Sequence, residues 1–170
     1  MQICPETPDD RDAIFAVTQA AFQNHPHSQQ TEGYIIDALR AGGALALSLV
    51  ARVDGDVAGH VAFSPVAVSD GTPGWYGLGP VSVAPARQGR GIGAALIRDG
   101  LSRLKAMGAA GCVVMGEPGY YRRFGFAQEP ALTYPGVPPE YFMALVFTQP
   151  ARGVVSYHDG FYASANSWPS

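Results

Sequence analysis

Gly79-Pro-Val-Ser-Val-Ala-Pro-Ala-Arg-Gln-Gly-Arg-Gly-Ile-Gly-Ala94, running on into Ala95-Leu-Ile-Arg-Asp-Gly-Leu-Ser-Arg-Leu104, reads as a strand, a glycine-rich turn with two arginines, and a helix. Val81 and Val83 alternate with smaller residues, as a pleated segment requires. Ile97, Leu101 and Leu104 form one stripe of the helix, with Arg98, Asp99, Ser102 and Arg103 turned outward. Glycines between the two halves let backbone N–H groups approach a ligand closely, because no Cβ intervenes. The helix that follows aims its unpaired N–H groups and the positive end of its dipole at the same place. That combination suits a phosphate or pyrophosphate.

Other nucleotide sites fit the turn less well. It has no Gly-Lys-Ser/Thr ending, which sets a P-loop aside. Gly89-x-Gly91-x-x-Ala94 satisfies the looser dinucleotide pattern. It lies mid-chain after hairpins, however, and Ala110 stands about where the ribose-binding acid would fall.

Working outward, Trp75–Val83 reads as the central strand. Pro80 inside it cannot donate to a ladder, so Gly79-Pro80 predicts a bulge that splays this strand from the next, Gly111–Met115. Splaying leaves main-chain groups of Val81 and Val83 in need of partners. Upstream, Gln2–Cys4 is a short strand. Thr7-Pro-Asp-Asp10 starts a helix whose apolar face carries Ile14, Val17 and Ala21. A second helix is expected over Gln30–Ala41, closed by Gly42-Gly43. Ala46–Val53 and Val57–Val68 are strands joined by an Asp54-Gly55 hairpin. Downstream, Tyr120–Phe124 is a short helix capped by Gly125. Ala131–Glu140, rich in Pro and Gly, is expected to hold no element. Tyr141–Thr148 and Val154–Tyr157 read as late strands, and Ala163–Ser170 shows no pattern. The order predicts one domain over 1–170, with a core of 1–149 and an extension of 150–170. Its class is α/β (α+β): a mixed, mostly antiparallel sheet, helices on both faces, and a splayed parallel pair at the centre.

With these elements placed, the chain resembles the GCN5-related N-acetyltransferases. Gln88-Gly-Arg-Gly-Ile-Gly93 matches their Gln/Arg-x-x-Gly-x-Gly/Ala motif. Tyr120-Tyr-Arg-Arg-Phe-Gly-Phe126 is similar to their Tyr-x-x-x-Gly-Phe segment. Gly59–Val66, read as Gly-His-x-Ala-Phe-Ser-Pro-Val, resembles a bacterial branch of predicted acetyltransferases. The resemblance extends from Ser48 to about Phe147. It implies acetyl-CoA as co-substrate and an amine as acceptor. By the resemblance, Val81, Ser82 and Val83 pair with the pantetheine arm, and Arg87, Gln88, Gly89, Arg90, Gly91, Ile92, Gly93 and Ala94 hold the pyrophosphate. The Val81 N–H would polarise the thioester carbonyl, and Tyr121 would protonate the departing thiolate. The chain departs from the family at Gly116-Glu117, where many members have an Asn, and its own branch often has His at 117.

The acceptor amine must lose a proton, and Glu117, Glu32 and His60 are the candidate bases, with a chain of waters as the alternative. Glu117 adjoins the tyrosines. Glu32 opens a helix, where a carboxylate is favoured without any catalysis. His60 lies on a strand. Two adjacent tyrosines on a helix are expected to face different ways. A covalent route through Cys112 lacks a neighbour that would lower the thiol's pKa. His25-Pro-His27 lacks a third ligand nearby, so no metal is expected.

The bulk composition fits this reading. The chain has 170 residues, 47% hydrophobic and 15% charged, with net charge −3. That size supports a core, and the low charge argues against disorder. No basic run exceeds two residues, which disfavours nucleic acid or an anionic membrane as partner. No apolar run reaches spanning length, and the start lacks a basic-then-apolar leader, so a soluble cytoplasmic protein is expected, with Cys4 and Cys112 as reduced buried thiols. Three functional classes remain: an acetyl-CoA-dependent N-acetyltransferase, an acyl-CoA sensor without transferase activity, and a scaffold that assembles, as a homodimer, through exposed C-terminal aromatics (Tyr157, Phe161, Tyr162, Trp168). The acceptor, a small molecule or a peptide amine, is left open.

Overall fold

A computed structural model describes residues 1–26 and 28–164. The strands are β1 Gln2–Pro5, β2 Leu47–Val53, β3 Asp56–Val68, β4 Trp75–Val83, β5 Gly111–Met115, β6 Leu132–Thr133, β7 Phe142–Val146 and β8 Gly153–Tyr157. The α-helices are α1 Arg11–Phe22, α2 Glu32–Ala41, α3 Ile92–Ala106 and the single turn α4 Pro118–Tyr121. The main sheet runs β1-β2-β3-β4-β5-β7. Its neighbours are antiparallel except β4 and β5, which run parallel.

Local chemistry accounts for the joints. Thr7 and Asp10 bond reciprocally at the start of α1, with the Thr7 N–H donating to Asp10 Oδ2 at 2.8 Å. Asp54 and Gly55 both take positive φ, 52° and 84°, which gives the hairpin a turn matched to strand twist. The second helix begins two residues later than its pattern predicts, at Glu32, because Gln30 takes φ 63°. There the Gln30 side chain bonds back to the Phe22 carbonyl at 2.6 Å.

The helices divide between the faces. Alternation along β2 sends Leu49 and Ala51 to one side and Val50 to the other. The first side packs against Leu96, Ile97, Leu101 and Leu104 of α3. The second packs against Ile14 of α1 and Ile36 of α2. Removing these side chains from water supplies the apolar driving force that holds both layers to the sheet.

The central pair splays as the sequence predicts. β4 and β5 pair only from Trp75↔Gly111 to Gly77↔Val113. Beyond that point β5 stays with β7, out to Met115↔Phe142, and β4 stays with β3. The bulge is present: Leu78 faces Phe63 and Val81 faces Val61, so β4 carries one residue more than β3 across it. The Gly79–Pro80 peptide is cis.

Three expectations need correction. Residues 131–140 do contain elements: the two-residue β6 pairs parallel with β8, and Pro139–Tyr141 forms a 3-10 turn. β6 exists because β8 returns beside the far end of β3, pairing Val66↔Tyr157 to Val68↔Val155, and offers its other edge. Tyr157 is not an exposed assembly residue. It is 5% exposed, its ring stacked on Phe161 with centroids 4.3 Å apart. Tyr162 is exposed, and Trp168 lies outside the described residues. Cys112 is buried as expected, but Cys4 is half-buried.

Candidate functional site: an aperture through the sheet

Where β4 and β5 part, a cavity of about 1070 Å³ opens. Leu78–Val83 form one side of it and Met115–Glu117 the other. Gln88, Tyr120 and Tyr121 reach it from the α3 face. Phe22, Glu32 and Ile35 reach it from the α1/α2 face, together with Val137, Tyr141 and Phe161. The cavity therefore passes through the sheet.

The edge of β4 turned toward this gap is polar main chain. The Ala84 N–H bonds the Ala58 carbonyl at 2.8 Å. By antiparallel alternation Ser82 and His60, which face each other, exchange bonds, and the main-chain groups of Val81 and Val83 point away from β3. Their side chains pack on the α3 face. The Ser82 side chain points the opposite way, with its Oγ 3.3 Å from Thr18 Oγ1 of α1.

At the end of β4 the chain turns through Pro85–Arg87 and enters α3. Gly89 and Gly91 take φ of 77° and 83°, and Gly91 caps the helix in the left-handed region. The first helix-type bond taken up here is from the Ala95 N–H to the Gly91 carbonyl, 3.0 Å. Among the described residues, no backbone or side-chain acceptor takes the N–H groups of residues 88–94. These amides and the head of α3 form a ready anion site. Arg87 and Arg90 flank it, and neither is paired with a described carboxylate. Ile92 has its side chain in the core, while Gly93 and Ala94 are half-buried.

Both tyrosines of the Tyr-Tyr pair line the cavity, and as expected they reach different parts of it. α4 is one turn long and tightens at once into a 3-10 turn, Arg122–Phe124. The rings meet edge to face, 5.1 Å apart at 88°. A Cβ on Gly93 would lie 3.5 Å from the Tyr120 hydroxyl, so Tyr120 reaches the glycine turn. Sequence reasoning missed this contact, and the only available signal was the doubled tyrosine itself. Tyr121 packs on Phe126 and over Gly116, where any Cβ would overlap its ring. A side chain at 116 would have to displace that ring. Burial, then the neighbouring Tyr120, pushes the Tyr121 hydroxyl up to about 12. It stays protonated throughout the neutral range.

The structure brings two of the three candidate bases to the cavity. Glu117 is exposed at its mouth, and its carbonyl accepts from the N–H groups of Tyr120 and Tyr121. Glu32 lines the opposite face and accepts from Ser28 Oγ at 2.6 Å. His60 is elsewhere: fully buried, with Nε2 2.7 Å from Ser48 Oγ. Burial drives its pKa down to about 4, against the pull of Glu6. Cys112 does not line the cavity, and burial raises its thiol pKa. Among the described residues no group of three or more His, Cys, Asp or Glu is placed to hold a metal. His25 lines the cavity, and His27 lies outside the described residues. No helix of the described residues is long and apolar enough to cross a membrane.

A coenzyme A thioester fits these features: unmet amides for its diphosphate, an open strand edge for its amide-bearing arm, and an aperture for the acyl end.

Comparison with known proteins agrees. The uncharacterized N-acetyltransferase YhbS of Escherichia coli is 33% identical over 169 residues, which cover 95% of this chain and 98% of that protein. A GNAT family acetyltransferase from Brucella melitensis, solved in complex with acetyl-CoA, is 52% identical with a TM-score of 0.84. The match covers 94% of this chain and 97% of that one. The crystal structure of E. coli YhbS in complex with CoA aligns with a TM-score of 0.86 at 32% identity, over 96% and 93% of the two chains. The family profile described as acetyltransferase (GNAT) domain matches residues 2–128, and the chain belongs to the GNAT acetyltransferase family.

Proposed function

We propose that this protein transfers an acetyl group from acetyl-CoA to a primary amine by direct attack within a ternary complex. The observation that carries the reading is the set of N–H groups at 88–94, unmet and gathered at the head of α3 beside the open edge of β4. The homologues solved with acetyl-CoA and with CoA support it.

In this reading the amides of Gln88–Ala94, with Arg87 and Arg90, hold the diphosphate. Val81 and Val83 pair with the amide groups of the pantetheine arm. The Val81 N–H donates to the thioester oxygen as it gains charge. Glu32 meets the acceptor ammonium on the α1/α2 face, and Glu117 takes its proton. The freed amine nitrogen bonds to the carbonyl carbon, the carbon–sulfur bond breaks, Tyr121 donates its proton to the thiolate, and the second proton that the nitrogen sheds on becoming an amide restores the tyrosinate. Holding both substrates in one aperture converts a bimolecular encounter into a local one, which is a large part of the rate gain available.

Calorimetric titration with coenzyme A tests the reading. Binding in the micromolar range is expected, and no heat at millimolar coenzyme A would remove it. Tight binding with no acetyl transfer to any amine would make the protein an acyl-CoA sensor instead.

A further inference from the structure

The α1/α2 side of the aperture has a chemistry of its own. Its wall is Phe22, Ile35, Val137, Tyr141 and Phe161, with Glu32 and His25 in the same lining. Among the described lining residues there is no Lys or Arg, and the carboxylates are Glu32 here and Glu117 across the gap. Neighbouring side chains brace the wall. Phe161 stacks on buried Tyr157, and Tyr157 is held edge-on by Tyr134. The connection from α1 to α2 is tied by Gln30 to the Phe22 carbonyl and by Ser28 to Glu32.

This lining discriminates among amines by cost. An acceptor carboxylate would be desolvated beside Glu32 with no Lys or Arg in the described lining to meet it, His25 being the basic side chain there. A polyamine or an aminoglycoside brings several ammonium groups, each needing a partner, into a space whose two carboxylates stand on opposite sides. An aryl or branched-alkyl group, by contrast, leaves water for matched apolar surface.

We propose that the acceptor is a small primary amine carrying one positive charge on an aryl or branched-alkyl body. The body lies among Phe22, Ile35 and Phe161, and the ammonium faces Glu32. This rests on the transferase reading above.

The test uses the full chain with acetyl-CoA, a thiol-release assay, and phenethylamine, isoamylamine, spermidine, kanamycin, a lysine-bearing peptide and glutamate as acceptors. Coenzyme A binding is measured by calorimetry on the same preparation. Phenethylamine or isoamylamine is expected to exceed spermidine in kcat/KM by at least about 30-fold, the worth of burying one large apolar group. Phe161→Ala is expected to raise KM for phenethylamine roughly tenfold and to leave spermidine's KM unchanged. The highest kcat/KM for spermidine, kanamycin, the peptide or glutamate overturns the acceptor class and leaves the transferase reading standing. Coenzyme A binding without turnover of any amine overturns both, and so does the absence of coenzyme A binding.

Discussion

The Gln88 side-chain amide donates to the Val83 carbonyl at 3.1 Å, so the glycine turn is tied to the open edge of the strand it leaves. The bond uses a carbonyl that the missing β5 partner would otherwise take, and it sets where the amides of 88–94 point. Gln88→Leu should weaken coenzyme A binding by roughly tenfold, the worth of one hydrogen bond. The thermal midpoint should barely move, because Gln88 is exposed. Unchanged affinity by calorimetry would show that the turn holds its shape without this bond.

Tyr121→Phe removes one oxygen and leaves the ring against Phe126 and Gly116. Turnover should fall roughly 100-fold, the low end of what a positioned proton donor contributes. Coenzyme A affinity should stay within about twofold. With its hydroxyl pushed up to about 12, Tyr121 stays protonated in any ordinary assay buffer, so it should cause no alkaline loss of rate below about pH 10. A variant with wild-type turnover would remove Tyr121 from the chemistry.

Much of this arrangement is legible in the residues. Gly79-Pro80 announces the bulge and the splay, Asp54-Gly55 the hairpin, and the 88–93 glycines the turn, because each is a local backbone requirement written in the residues that meet it. The α1/α2 side of the aperture is not legible. Phe22, Ile35 and Phe161 come from opposite ends of the chain and meet only through β8 pairing with the far end of β3. Val154–Tyr157 reads as a strand, but nothing local names its partner. β6 is hidden for the same reason, since two residues among prolines become a strand only when β8 is beside them.

Gly100 of α3 lies against Phe63 of β3, and a Cβ there would come within 2.6 Å of Phe63 Cζ. Phe63 is fully buried and has nowhere to retreat. Gly100→Ala should therefore destabilise. Overpacking costs roughly 1–3 kcal/mol, more than the roughly 1 kcal/mol alanine gains over glycine inside a helix. A lower urea midpoint at unchanged slope is the expected result. A higher midpoint would mean that α3 shifts freely on the sheet.

His60 gives stability a pH dependence. Its pKa falls from 6.5 to about 4 on folding, chiefly through burial. Between those values the unfolded chain binds a proton that the folded chain refuses, so stability drops as pH falls from about 6.5 to 4. The loss is up to about 3 kcal/mol at the lower end. The Glu6 carboxylate is opposed by burial but held by Arg40 and Ser48, and its pKa is lowered, so its contribution fades only below about pH 4.5. His60→Gln should flatten the decline of the urea midpoint between pH 6.5 and 4.5, whatever its stability at pH 7. A variant with the wild-type slope would assign the decline to other groups.

A perforated sheet can be approached from either of its faces. In the ternary complex proposed above, the thioester comes in beside α3 and the amine beside α1 and α2. The acetylated product can withdraw by the amine's side while the bare thiol still occupies its own.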